Sequence, residues 1–367
     1  MLYKRSLAGC LLLITAFAVG PGAAAPLAQQ RADFIAAENA LDRGAMGEFA
    51  RFEKRLREYP LHPYLVYEAL SKRLDAASSR EIEDFLQTYS DTPLAWLLRR
   101  DWLNHLAGKY RWKEYIAFYR PSNNVTRQCQ YLTALISSGR KKEAMQDVEP
   151  IWLHGKSQPR ACDPVFKAWA QAGHRTTELV WQRIALAMEA GQWRLAKYLG
   201  RTLSDRDRVW VDRWVRLYKS PDEAGDTERY RTAHPYREAM LAQAVRRLAR
   251  WDGLRALRLW QKIEPRYPFS TAQIERTEHY IVRNLVRIAD AQAYAFIRSV
   301  PVGENDELVH AARIRAALLR EDWPQVIEWI EALPASQRED ERWRYWMARA
   351  LEGNGETDRA RALYASV

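Results

Sequence analysis

Three cysteines occur in the chain. Two of them, Cys129 and Cys162, lie at the ends of a stretch whose second half is the one long break in an otherwise helical pattern: Trp152-Leu153-His154-Gly155-Lys156-Ser157-Gln158-Pro159-Arg160-Ala161-Cys162-Asp163. In an oxidising compartment such a pair can form a disulfide. Closing a loop of about 33 residues is worth on the order of 3–4 kcal/mol in the chain-entropy description. The alternative is two unrelated buried thiols. The seven histidines, His62, His105, His154, His174, His234, His279 and His310, show no i, i+4 pair, so no metal site and no cofactor is expected. Lys156-Ser157 after Gly155 lacks the upstream glycine and the preceding strand that a phosphate loop needs. Glu339-Asp340-Glu341 sits among arginines and reads as a solvated helix terminus, so no catalytic residue is assigned. Trp210 and Trp214 share a helical face with Arg206 and Arg213 nearby, an arrangement able to stack sugar rings. The same spacing also suits aromatics that pack one helix on another.

Which thiol chemistry applies depends on the N-terminus. Lys4 and Arg5 precede an apolar run from Leu7 to Val19, and Ala23-Ala24-Ala25 supplies small residues for cleavage. This predicts a secretory signal over residues 1–25 and a periplasmic mature chain over 26–367. The run is short of the roughly 20 apolar residues a membrane-spanning helix requires, so no transmembrane anchor is expected in the mature chain. Leu7-Ala8-Gly9-Cys10 resembles a lipoprotein signal, but most of the apolar run follows the cysteine instead of preceding it. Lipid anchoring at Cys10 is therefore not expected.

The formal net charge is +11, and losing Lys4 and Arg5 with the leader takes it to +9. A basic exported protein meets few nucleic acids. Its acidic partners are the carboxylates of cell-wall peptides, anionic lipid surfaces or acidic proteins. Arginines spread over many helices also read simply as a solvated face. Fifteen Trp and eighteen Tyr supply core enough to exclude a disordered chain.

The elements that must hold these residues follow one unit: an apolar-periodic helix, a small or polar turn, a second helix. Turns are expected at Gly44, Gly108, Gly139, Gly191, Gly253, Asp322 and Asn354-Gly355, with spacings near 32 residues such as Gly108 to Gly139 and Asp322 to Asn354. Stripes such as Trp193, Ala196, Leu199 and Leu203 cannot be buried within one hairpin. Stacked neighbours bury them. The prediction is an all-α fold: an α-superhelix or solenoid of TPR-like helical hairpins forming a curved or ring-like array. The polar stretch 219–227 is the best place for a sub-boundary, and no strand is expected.

Three separated blocks, in order, resemble the N-terminal part of the soluble lytic murein transglycosylases. They are Tyr59-Pro60-Leu61-x-Pro63-Tyr64-Leu65, then Trp152-Leu153-x-Gly155-Lys156-Ser157-Gln158-Pro159-x-Ala161-Cys162-Asp163, and late in the chain Trp343-Arg344-Tyr345-Trp346-x-Ala348. The resemblance implies a superhelical, ring-forming region that in the family precedes a linker domain and a lysozyme-like domain. It implies peptidoglycan as the partner. It also implies a family reaction that cleaves the muramic acid–glucosamine bond to a 1,6-anhydro end with one glutamic acid acting as acid and then base. Cys129 and Cys162 carry over as a bridge, and Gly155, Lys156, Ser157, Gln158 and Pro159 as a structural loop.

The family's catalytic signature, Glu-Ser followed by a Gly-rich stretch ending near Gly-Leu-Met-Gln, does not occur between Met1 and Val367. No catalytic residue can be carried over, and the chain alone is expected to be inactive. Two functions remain open: a non-catalytic superhelix that binds or guides peptidoglycan, or a periplasmic helical-repeat scaffold for a protein partner.

Overall fold

The computed structural model describes residues 24–303 and 306–366. The expected signal segment up to residue 23, Cys10 included, lies outside the described residues. Among those described there are 22 α-helices, three short 3-10 helices and no strand. The all-α expectation holds.

The chain forms two compact units. The first runs to Asp147 and takes in the short piece Arg160–Val165; the second holds Val148–Pro159 and everything from Phe166 onward. In the first unit, Leu98, Trp102, Leu106 and Tyr115 are fully or almost fully buried between the helices Ser79–Thr88, Pro93–Gly108, Trp112–Phe118 and Val125–Ser137. In the second, Trp214, Met240, Leu241, Trp260 and Ile281 play that part. Within each unit a helix packs on its chain neighbour and on the first helix of the next hairpin. That is how a repeat too small to bury its own stripe becomes stable. The stretch 219–227 lies inside the second unit, mostly as the 3-10 helix Pro221–Gly225.

One turn recurs. A residue with positive φ ends the first helix, and the residue after it donates its N–H to a carbonyl five positions back, the closure that satisfies the otherwise orphaned carbonyls of a helix end. Gln192 donates to the carbonyl of Ala187 at 2.7 Å and Arg140 to that of Leu135 at 2.9 Å, with Gly191 and Gly139 at the positive-φ position. In two turns the position is not glycine. Tyr110 (φ 56°) and Glu321 (φ 53°) occupy it, and Arg111 and Asp322 make the same closure. Gly108, expected in a turn, is the last residue of its helix, and Gly253 is the first of the helix Gly253–Ile263.

Candidate functional site

Cys129 sits in the helix Val125–Ser137 and Cys162 ends the 3-10 turn Arg160–Cys162, both in the first unit. They are bonded, with Cα atoms 4.8 Å apart. The bridge fastens the short Arg160–Val165 piece to the helical body of that unit.

The loop Gly155–Pro159, in the second unit, is built against the helix Thr177–Glu189. A Cβ added at Gly155 would lie 2.6 Å from the carbonyl oxygen of Leu186, so no side chain fits there. Gln158 donates its amide to the carbonyl of Ile151 at 2.8 Å. Arg183 reaches the carbonyl of His154 at 3.3 Å, and its guanidinium lies 4.7 Å from the centre of the Trp152 ring. Burial pushes Arg183 down to about 10. Lys156 and Ser157 are exposed.

The suggested sugar platform at Trp210 and Trp214 does not exist. The two indoles are 5% and 1% exposed. His234 stacks on Trp210 at 4.6 Å, with the Arg213 guanidinium 4.5 Å from the ring centre. Trp214 donates its indole N–H to Gln243 Oε1 at 2.6 Å. These rings are core, and of the four proposed contacts Arg206 alone is exposed. No group of three or more His, Cys, Asp or Glu able to hold a metal occurs among the described residues.

What the sequence reading missed lies one hairpin further on. A cleft of about 580 Å³ is lined by Arg246, Arg247, Arg250, Arg276 and Arg283, with Gln243, Tyr218, Tyr280 and a single acid, Glu189. Its central wall is the helix Arg237–Ala249, rich in the strong helix formers Ala, Leu and Arg and buried on nearly every side. The opposite wall is Thr271–Leu285, started by a capping box between Ser270 and Gln273. Glu189 accepts from Arg246 at 2.5 Å and from Arg276 at 3.2 Å. Burial pulls the Arg246 guanidinium below its ordinary value, and the Glu189 charge pulls it back up. Arg247 donates to the carbonyl of Tyr218 at 2.6 Å, with its guanidinium 3.6 Å from the Tyr218 ring centre and 4.8 Å from that of Trp251. Arg250 donates to the Tyr280 hydroxyl at 2.6 Å, and Arg283 lies over the same ring at 5.0 Å.

A second cavity of about 730 Å³ shares Arg250 and Arg283 with the first and adds Arg287, Arg315 and Arg342. Arg250, Arg283 and Arg315 stand 33 and 32 residues apart, each at the C-terminal end of the first helix of successive hairpins. The signal was therefore in the sequence: arginine recurring in register with the repeat.

Most acidic groups that shift do so downward: hydrogen bonds from Arg73 and Ser78 hold Glu81 at about 2, and the hydrogen bond from Arg111 lowers Glu114. Glu278 is an exception. Burial raises it, although the Trp260 indole N–H donates to it at 3.2 Å.

Similarity to known proteins agrees with this architecture. The soluble lytic murein transglycosylase of Escherichia coli is 27% identical over 357 residues, covering 96% of this chain and 55% of the relative. An inactive mutant of the lytic transglycosylase Slt from Pseudomonas aeruginosa superposes with a TM-score of 0.76 at 32% identity, covering 91% of this chain and 55% of that one. The 70-kDa soluble lytic transglycosylase of Escherichia coli superposes with the same TM-score at 25% identity, covering 93% and 55%. A profile of the Cucumovirus coat protein family also matches residues 140–218, a stretch well under half of the chain. By sequence and by fold, this chain is similar to the soluble lytic murein transglycosylases, and it spans about half the length of the relatives it matches.

Proposed function

We propose that this chain is the non-catalytic, TPR-like superhelical part of a periplasmic lytic murein transglycosylase, delivered by a cleaved signal over residues 1–25, and that it binds or guides peptidoglycan. The observation that carries the reading is the arginine-lined cleft, where five guanidiniums meet one carboxylate. A basic groove attracts anionic polymers and holds them by contacts that salt weakens. The sequence likeness to murein transglycosylases supplies the polymer. The missing Glu-Ser and Gly-Leu-Met-Gln run supports the non-catalytic part of the reading. No described helix is long and apolar enough to cross a membrane.

Glycosidic cleavage needs a protonated acid held against the leaving oxygen. Glu278 is raised by burial, but its carboxyl is taken up by Trp260 and it is not among the residues lining the cleft. Purified residues 26–367 should therefore bind isolated sacculi at low salt, lose that binding as salt rises, and release no anhydro-muropeptides. Anhydro products from this chain alone would overturn the non-catalytic reading. Absence of binding even at low salt would favour a scaffold for a protein partner.

A further inference from the structure

The cleft does more than carry positive charge. Its own acid, Glu189, is already held between Arg246 and Arg276, so the fold displays one carboxylate bound between two guanidiniums. Arg250 and Arg283 have no carboxylate within 4.0 Å among the described residues. Arg250 has its Nε committed to the Tyr280 hydroxyl, which leaves both terminal nitrogens for a ligand. Because that hydroxyl accepts from Arg250, its own proton is available to donate. Acceptors are scarce on the walls: Glu189 is engaged, and Gln243 Oε1 takes the Trp214 indole N–H. A neutral sugar hydroxyl, which needs acceptors as well as donors, is poorly served here. A planar anion matched to a guanidinium fork is well served.

We propose that Arg250, Arg283 and the Tyr280 hydroxyl form a carboxylate site that takes the free acid groups of peptidoglycan stem peptides, not the glycan backbone. The proposal rests on the peptidoglycan reading above and assigns the chemistry that the cleft recognises. The second cavity shares both arginines and continues the series to Arg315, so carboxylates repeated along one polymer can be held at successive hairpins. Clustered guanidiniums repel one another when empty, and an incoming carboxylate relieves that repulsion. This favours acids over amides.

The test titrates the mature chain with a soluble disaccharide-tetrapeptide bearing free carboxylates, with its fully amidated form and with peptide-free glycan strands. The wild type should bind the acid form at least tenfold more tightly than the amide. Arg250→Gln with Arg283→Gln should lose at least tenfold on the acid form and change little on bare glycan. Arg206→Gln, an exposed arginine outside the cleft, should match the wild type throughout. Circular dichroism checks that the double variant folds, and Tyr280→Phe, which keeps the ring, should lose about threefold even if it does not. Equal affinity for acid and amide, or an unchanged double variant, overturns the carboxylate assignment while sacculus binding stands. Inorganic phosphate competing as well as the tetrapeptide overturns it in favour of a general anion site. Failure of the wild type to bind sacculi at low salt overturns the parent reading instead.

Discussion

Two arginine–aromatic clusters share the helix Asp205–Lys219, and they have opposite fates. Trp210, with Arg213 over its ring, lies within the helix and is 5% exposed; Tyr218, near its end, packs with Arg247 beside a Trp251 that is 63% exposed. The side-chain types are alike, so chemistry does not separate them. Position in the hairpin does. A mid-helix aromatic is covered by the helices stacked beside it, whereas a residue at the helix end or in the turn can remain at the surface. Recognition in this molecule is therefore expected at hairpin ends, where Arg250, Arg283 and Arg315 recur.

The largest expected effect tests the buried side of that contrast. Trp214 is 1% exposed and anchors Gln243 through its indole N–H, so Trp214→Ala should cost about 3–5 kcal/mol, the range for emptying a large aromatic site. Thermal or urea unfolding reads it directly. A variant as stable as the parent would show that these indoles are not core, and the contrast would collapse.

Trp251→Ala should do the reverse. With most of its side chain in water, truncation should leave stability within about 0.5 kcal/mol. Sacculus binding should weaken about threefold to tenfold, the equivalent of roughly 0.5–1.5 kcal/mol for an aromatic contact. Loss of stability without loss of binding would place Trp251 with the packing aromatics.

A good part of the fold is legible in the sequence because its determinants are local. Gly44, Gly139, Gly191 and Gly355 take the positive φ that closes a helix end, and glycine marks such positions in a sequence. Tyr110 and Glu321 cannot be read this way. They adopt the same backbone without the residue that announces it, so the turn expected at Gly108 falls two residues early. The bridge between Cys129 and Cys162 is accessible from the expected export signal and the family resemblance. The recurrence of Arg250, Arg283 and Arg315 is visible too, but the cleft itself is not, since its shape depends on which side chains of separate hairpins come side by side. Spacing shows that Trp210 and Trp214 share a face. Only the packing of Trp181, His234, Tyr236 and Gln243 shows that the face is covered.

The smallest effect distinguishes the clusters by pH. His234 packs against Trp181 and Trp210, and burial lowers its pKa; Asp207 and Glu238 oppose that shift, while Arg206 and Arg213 reinforce it. A histidine whose folded-state pKa lies below its unfolded value near 6.5 favours folding in its neutral form. Its contribution is fully present above the unfolded pKa and is lost as pH falls through that value toward the folded one. The cleft arginines stay charged across this window, and ligand carboxylates stay ionised down to about pH 5. From about pH 7.5 to 5.5 the wild type should therefore lose more stability in urea melts than His234→Gln, while sacculus binding by the folded protein stays level. A parallel fall in stability for both proteins would remove His234 as the cause. A matching fall in binding would mean that the buried cluster and the cleft are not independent, and that Gln243, held by Trp214 on one side and lining the cleft on the other, couples them.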